Sequence, residues 1–150
     1  MRGFEVIETY KDKNINLPIR KTKNSAGYDT EAAEDTLIPP FKPGIKPTLI
    51  KTGIKAYCED DEWIMVANRS SNPSKKHLVL ANGVGIVDAD YYNNEDNEGH
   101  IMFSYFNMSD KDVIIKKGEV IGQLVFMKYL TSDNDKAKGK RKGGFGSTSK

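Results

Sequence analysis

Between residues 100 and 108, hydrophobic side chains fall on both faces of one extended run. Ile101, Phe103 and Tyr105 share one side; Met102, Phe106 and Met108 share the other. Side chains alternate across a strand, so a run apolar on both faces calls for cover on both. A chain of 150 residues has a single hydrophobic core to offer, and a partner subunit is a source of the second cover. Helical periodicity is hard to find elsewhere. Short β-rich runs bounded by turn residues predict strands over 4–8, 48–57, 62–68, 100–108, 112–115 and 121–129, with one turn of helix near 74–77. Pro39, Pro40, Pro43, Gly44 and Pro47 punctuate one connection, where helices and central strands are both disfavoured. The pattern predicts an all-β sandwich or barrel.

Charge and composition narrow the classes. With 23 basic and 21 acidic side chains the net charge is +2, far from the excess of a dedicated nucleic-acid binder. Cys58 is the lone cysteine and cannot form an intrachain disulfide, which favours a reducing compartment. The first residues lack a signal-peptide core, and no run approaches the ~18 apolar residues that cross a membrane. A cytoplasmic domain is the expectation. After residue 130 the only large hydrophobe is Phe145, set among Lys136, Lys138, Lys140, Arg141 and Lys142. So little apolar surface does not offset ordering entropy. The expected organisation is a β domain over 1–130 and a flexible arm over 131–150.

Five clusters carry chemistry. In Ser25-Ala26-Gly27-Tyr28-Asp29, an oxygen ligand sits beside a turn. In Asn68-Arg69-Ser70-Ser71, a guanidinium fork, hydroxyls and turn amides suit phosphate oxygens. Asn82 to Tyr91 contains Gly83 and Gly85, which let backbone approach a ligand, then Asp88 after a short apolar strand, then an aromatic face at Tyr91. Gly118 to Leu124 leads from a turn into a core strand with Gln123 as its polar oddity. Arg141 to Thr148 mixes cations, glycines and hydroxyls around one ring. Taken singly, the first, second and fourth read first as ordinary turns, and the third reads equally as a hairpin or a site. A P-loop is excluded, because no Gly-Lys-Ser/Thr follows a strand and opens a helix.

In order, the clusters resemble the five motifs of the trimeric dUTPases, over residues 26–148. Ala-Gly-Tyr-Asp, Arg-Ser-Ser, Gly-Ile-Val-Asp-Ala-Asp-Tyr, Gly-Gln-Leu and Gly-Gly-Phe-Gly-Ser-Thr carry the likeness, and the insert at 92–98 is similar to Gram-positive bacterial and phage forms. The resemblance implies a distorted jelly-roll β-barrel, a homotrimer with sites at subunit interfaces, and an arm that closes over a neighbour's site. It implies Mg²⁺-dependent hydrolysis of dUTP to dUMP and pyrophosphate, limiting uracil in DNA. Asp88 would be the base. Asn82, Gly85, Ile86 and Val87 would bind the uracil edge, with Met102 nearby, and Tyr91 would pack under the deoxyribose. Arg69, Ser70, Ser71 and Gln123 would hold phosphates, and Asp29 would bind Mg²⁺ through water. Arg141, Gly146, Ser147 and Thr148 would hold the terminal phosphates while Phe145 stacks on uracil. Two positions depart from the pattern: Val120 stands where Arg is usual, and Ser149 where Gly is usual. The competing implications are a dCTP deaminase on the same fold, and a phage-type enzyme that also binds a regulatory protein through the insert.

Overall fold

The computed structural model describes residues 1–146. They form the strands β1 (Gly3–Val6), β2 (Tyr28–Glu31), β3 (Thr36–Ile38), β4 (Thr48–Lys51), β5 (Ile54–Tyr57), β6 (Glu62–Ala67), β7 (Leu78–Leu80), β8 (Gly85–Asp88), β9 (Met102–Asn107), β10 (Val113–Ile115) and β11 (Val120–Lys128). One helical turn, α1 (Asn72–Lys75), lies between β6 and β7. Pairing of the named strands is antiparallel throughout, in sheets ordered β2-β11-β6-β8, β4-β9-β7, β1-β5 and β10-β3. The expected all-β architecture is observed. No helix among the described residues is long and apolar enough to cross a membrane.

The doubly apolar run is the centre of the fold. Ile101, Phe103 and Tyr105 are buried, and the last two rings stack 6.3 Å apart at 7°. At Gly122 a Cβ would come within 2.1 Å of Phe103 Cε1, so β11 passes over that ring only because the residue is glycine. The ladder from β11 to β2 shifts register between Val120 and Gly122, a local kink of the kind bulges produce. The second face of β9 is covered partly by this chain itself. Phe41, from the proline-rich connection, meets Phe106 edge-on at 5.3 Å, and Met102 lines a cavity. Met108 is left 54% exposed.

The predicted strand over 48–57 is two strands. Gly53 adopts φ +71°, a conformation that suits glycine, and there the chain leaves the pairing with β9 for the pairing with β1. The helical turn starts at Asn72, two residues before the expected position. β2, β3 and β7 escape the sequence pattern; each is three or four residues long, and β2 is mostly polar. Their pairing is set by tertiary neighbours, which propensity does not encode.

The corner at Gly53 is closed by a buried imidazole. Gly53 N–H donates to His100 Nε2 at 2.9 Å, and the His100 ring lies 5.4 Å from Tyr10. Burial, reinforced by the Lys51 charge, pushes His100 down from 6.5 to about 4. Its folded value therefore lies below its unfolded one. The stability that neutral His100 permits is complete above pH 6.5 and drains away as pH falls through about 4. The loss is on the order of 3 kcal/mol. Urea titrations from pH 7 to 4 should give a flatter stability profile for His100→Gln, which keeps an acceptor but does not titrate. Parallel profiles for the two proteins would refute this role.

Candidate active site

The sequence-predicted residues gather in two groups. The first surrounds a cavity of about 220 Å³ whose walls include Asn82, Gly85, Ile86, Val87, Tyr91, Met102, Arg141, Phe145 and Gly146. At that size it suits one nucleobase with its sugar, being smaller than the roughly 300–1,000 Å³ of drug-sized sites. Local backbone builds it. Gly83, at φ +73°, turns the chain between β7 and β8. At Gly85 a Cβ would meet Val66 Cβ at 2.8 Å, so glycine lets β8 close onto β6. β8 ends its sheet, and an edge strand carries unpaired N–H and C=O groups. Those groups are hydrogen-bonding capacity offered beside a cavity.

Asp88 closes β8 with its side chain 53% exposed. Arg141 Nη2 donates to Asp88 Oδ2 at 2.6 Å, and Arg141 Nε donates to Asp90 Oδ1 at 2.9 Å. The guanidinium carbon lies 5.7 Å from the centre of the Tyr91 ring. Phe145, 67% exposed, meets the same ring edge-on at 6.1 Å. The arm therefore lies across the hairpin of its own chain, whereas the resemblance implied a neighbour's site. In a lone chain the cationic arm meets the nearest carboxylates. Ser147 and Thr148 lie outside the described residues.

The second group lies on the far side of the same sheet. Arg69 Nη1 donates to the Val120 carbonyl at 3.3 Å, and Ser70 and Ser71 lead into α1. Gln123 Nε2 donates to the Asn68 carbonyl at 3.1 Å. A Cβ at Gly27 would fall 2.0 Å from Gln123 Oε1, so glycine there leaves room for that amide. Asp29 is paired across the ladder with Gln123. Among the described residues no ion pair or side-chain hydrogen bond engages the Asp29 carboxylate, so it is available to a hydrated cation.

One chain does not unite the groups. Gln123 pairs with Ala67 and Asp88 with Trp63, at opposite ends of β6 and on opposite sides of it. With a rise of about 3.3 Å per residue and strands about 4.8 Å apart, their backbones are roughly 16 Å apart. Several supporting residues were given no role by the sequence, although Asp90 and Asn68 lie within its clusters. Asp90 shares Arg141, Asn68 carries Gln123, and Asp96 accepts the Gly144 amide at 2.8 Å. Asn and Asp are so common in turns that such residues do not stand out.

The comparisons with known proteins agree with this geometry. The sequence profile of the dUTPase family matches residues 13–149. The chain is 52% identical over 150 residues to the deoxyuridine 5'-triphosphate nucleotidohydrolase of Lactococcus lactis subsp. lactis, covering 99% of this chain and 97% of that protein. The crystal structure of the Streptococcus mutans dUTPase superposes with a TM-score of 0.81 at 47% identity, covering 88% of this chain and 99% of that one. The dUTPase of phage phi11 of S. aureus shares the fold at 20% identity, with a TM-score of 0.73 over 93% of this chain and 97% of that one. From a hairpin walled by its own glycines to a match along nearly its whole length, the chain belongs to the dUTPase family.

Proposed function

We propose that this protein hydrolyses dUTP to dUMP and pyrophosphate, with Asp88 as the general base, in sites shared between the subunits of a homotrimer. The observation that carries the reading is the cavity beside β8, with Tyr91 in its wall and Arg141 and Phe145 reaching it from the arm. Uracil pairs with the open edge of β8 and with Asn82. A cytosine there leaves buried polar groups without partners, which costs more than any contact regained. The Tyr91 ring packs against the deoxyribose, where a 2′-hydroxyl has no room. Phe145 stacks over the base from the arm.

The Arg141 contacts suggest how the base is armed. In the resting chain Arg141 bridges Asp88 and Asp90. A triphosphate offers denser negative charge, so Arg141 exchanges carboxylates for phosphate oxygens and leaves Asp88 free to accept a proton. Water deprotonated by Asp88 attacks the α-phosphorus, a P–O bond forms, and the bond from that phosphorus to the bridging oxygen breaks, releasing pyrophosphate. Arg69, Ser70, the Ser71 amide and Gln123 hold the phosphates in line. The unengaged Asp29 carboxylate, opposite Gln123, fits a water-mediated Mg²⁺ contact. Bound Mg²⁺ draws charge from the phosphate oxygens.

The separation of Gln123 from Asp88 supports a composite site, because one α-phosphate does not reach both within a single chain. Exposed apolar side chains such as Leu49 (45%), Ile114 (54%) and Met108 (54%) supply surface for neighbours. The terminal segment from residue 131 acts as a closing arm on the domain over 1–130.

Two experiments test the reading. In steady-state assays dUTP should be cleaved while dTTP, dCTP and UTP are nearly inert, and Asp88→Asn should lose about 10²–10⁴-fold in kcat with substrate affinity kept. Ammonia released from dCTP would instead identify a deaminase. In the second, Asp88→Asn and Gln123→Ala chains, each inactive alone, are unfolded, mixed and refolded together. If a site draws these residues from different subunits, about a quarter of the sites are restored in randomly mixed trimers. Activity no higher than the average of the two separate variants would rule out sharing.

A further inference from the structure

The hydroxyl of Tyr91 has both of its hydrogen-bonding directions filled. It donates to the His100 carbonyl at 2.8 Å and accepts from Asn97 Nδ2 at 2.8 Å. The orientation of the Asn97 amide is fixed by its other end. Asn97 Oδ1 accepts from Asn94 Nδ2 at 2.7 Å and from Gly99 N–H at 3.1 Å. Two donors at the oxygen leave the nitrogen as the only atom that can face Tyr91.

The loop holding Asn97 is itself rigid. Asn94, buried, donates to the Tyr91 carbonyl and accepts from the amides of Asp96 and Asn97. From below, Lys55 Nζ reaches Asn93 Oδ1 at 2.6 Å and Glu98 Oε1 at 2.7 Å, clamping both ends of the loop. From above, the arm packs onto the same amide. A Cβ at Gly144 would lie 3.2 Å from Asn97 Nδ2, while the Gly144 amide donates to Asp96. The docked arm thus shields the bond between Asn97 and Tyr91 from water, where a hydrogen bond is stronger.

We propose that Asn97 is a positioning residue that sets selectivity for deoxyribose: by holding the Tyr91 hydroxyl it fixes the ring at the depth where a 2′-hydroxyl collides. This rests on the reading of Tyr91 as the sugar-facing residue. Two tethers at the hydroxyl remove the ring's freedom to tilt aside, so steric exclusion does not relax when a larger sugar enters. The loop at 92–99 then has an internal duty at the site.

Asn97→Asp tests the tether, because it keeps an oxygen for Asn94 and Gly99 and removes the donor to Tyr91. The expected result is a fall of about tenfold in the ratio of kcat/KM for dUTP over UTP, the scale of one side-chain hydrogen bond. Part of that fall comes from a rise in UTP turnover, which a general loss of folding would not produce. Combining it with Tyr91→Phe should lower the ratio no further than Tyr91→Phe alone. An Asn97→Asp protein that keeps the parent ratio, or additive effects in the double variant, overturns the proposal. If Asn97→Asp fails to fold, Tyr91→Phe decides alone: it keeps the ring and frees it from both tethers, and an unchanged ratio refutes the inference. A parent enzyme that cleaves UTP as readily as dUTP removes the underlying reading of Tyr91. A parent that discriminates beside an indifferent Asn97→Asp removes only the inference.

Discussion

The Tyr105 hydroxyl is buried among backbone and amide groups, and it joins the hydrophobic core to the polar side of the molecule. The ring stacks on Phe103, while the oxygen donates to the Ile121 carbonyl at 2.6 Å and lies 3.0 Å from Asn68 Oδ1. Burial raises its pKa well above the usual phenol range, so it remains a donor. Asn72 Nδ2 bonds Asn68 Oδ1 and the Ile121 carbonyl, and the Asn68 carbonyl receives Gln123. The position of Gln123 therefore follows from how two aromatic rings pack. A buried polar network with every member satisfied gives rigidity that apolar packing alone does not.

Asp88 and Arg141 follow a different logic. The Asp88 carboxylate is half exposed, while the Arg141 guanidinium that meets it is 10% exposed, bonded to a second carboxylate at Asp90 and set against the Tyr91 ring. The molecule thus combines a fixed polar shelf with a cation held between two half-exposed carboxylates.

Motif order was legible in the sequence because each motif depends on residue types that chemistry demands: a carboxylate at Asp88, a fork at Arg69, a ring at Tyr91. The alternation within β9 was legible too, since period-two burial follows from strand geometry. The partial cover supplied by Phe41 was not. A proline-rich segment reads as a breaker, and only the folded chain brings Phe41 against Phe106. The corner at Gly53 was hidden inside one continuous β-rich run over 48–57. The work of Asn94 and Asn97 was hidden as well, because an asparagine-rich turn has the same composition whether it organises a site or merely reverses the chain.

The exposed edge of β8 has a cost outside catalysis. Backbone that can pair with a nucleobase can pair with any extended polypeptide, and open edges are where β proteins stick to one another. Here the liability is confined. The strand is four residues long and ends in a carboxylate, and the glycine-rich arm lies beside the cavity that the strand helps line. On the function proposed above, nucleotide and arm guard solubility as well as serving a reaction cycle. A chain that has lost its arm and its ligand together leaves this edge open to self-association.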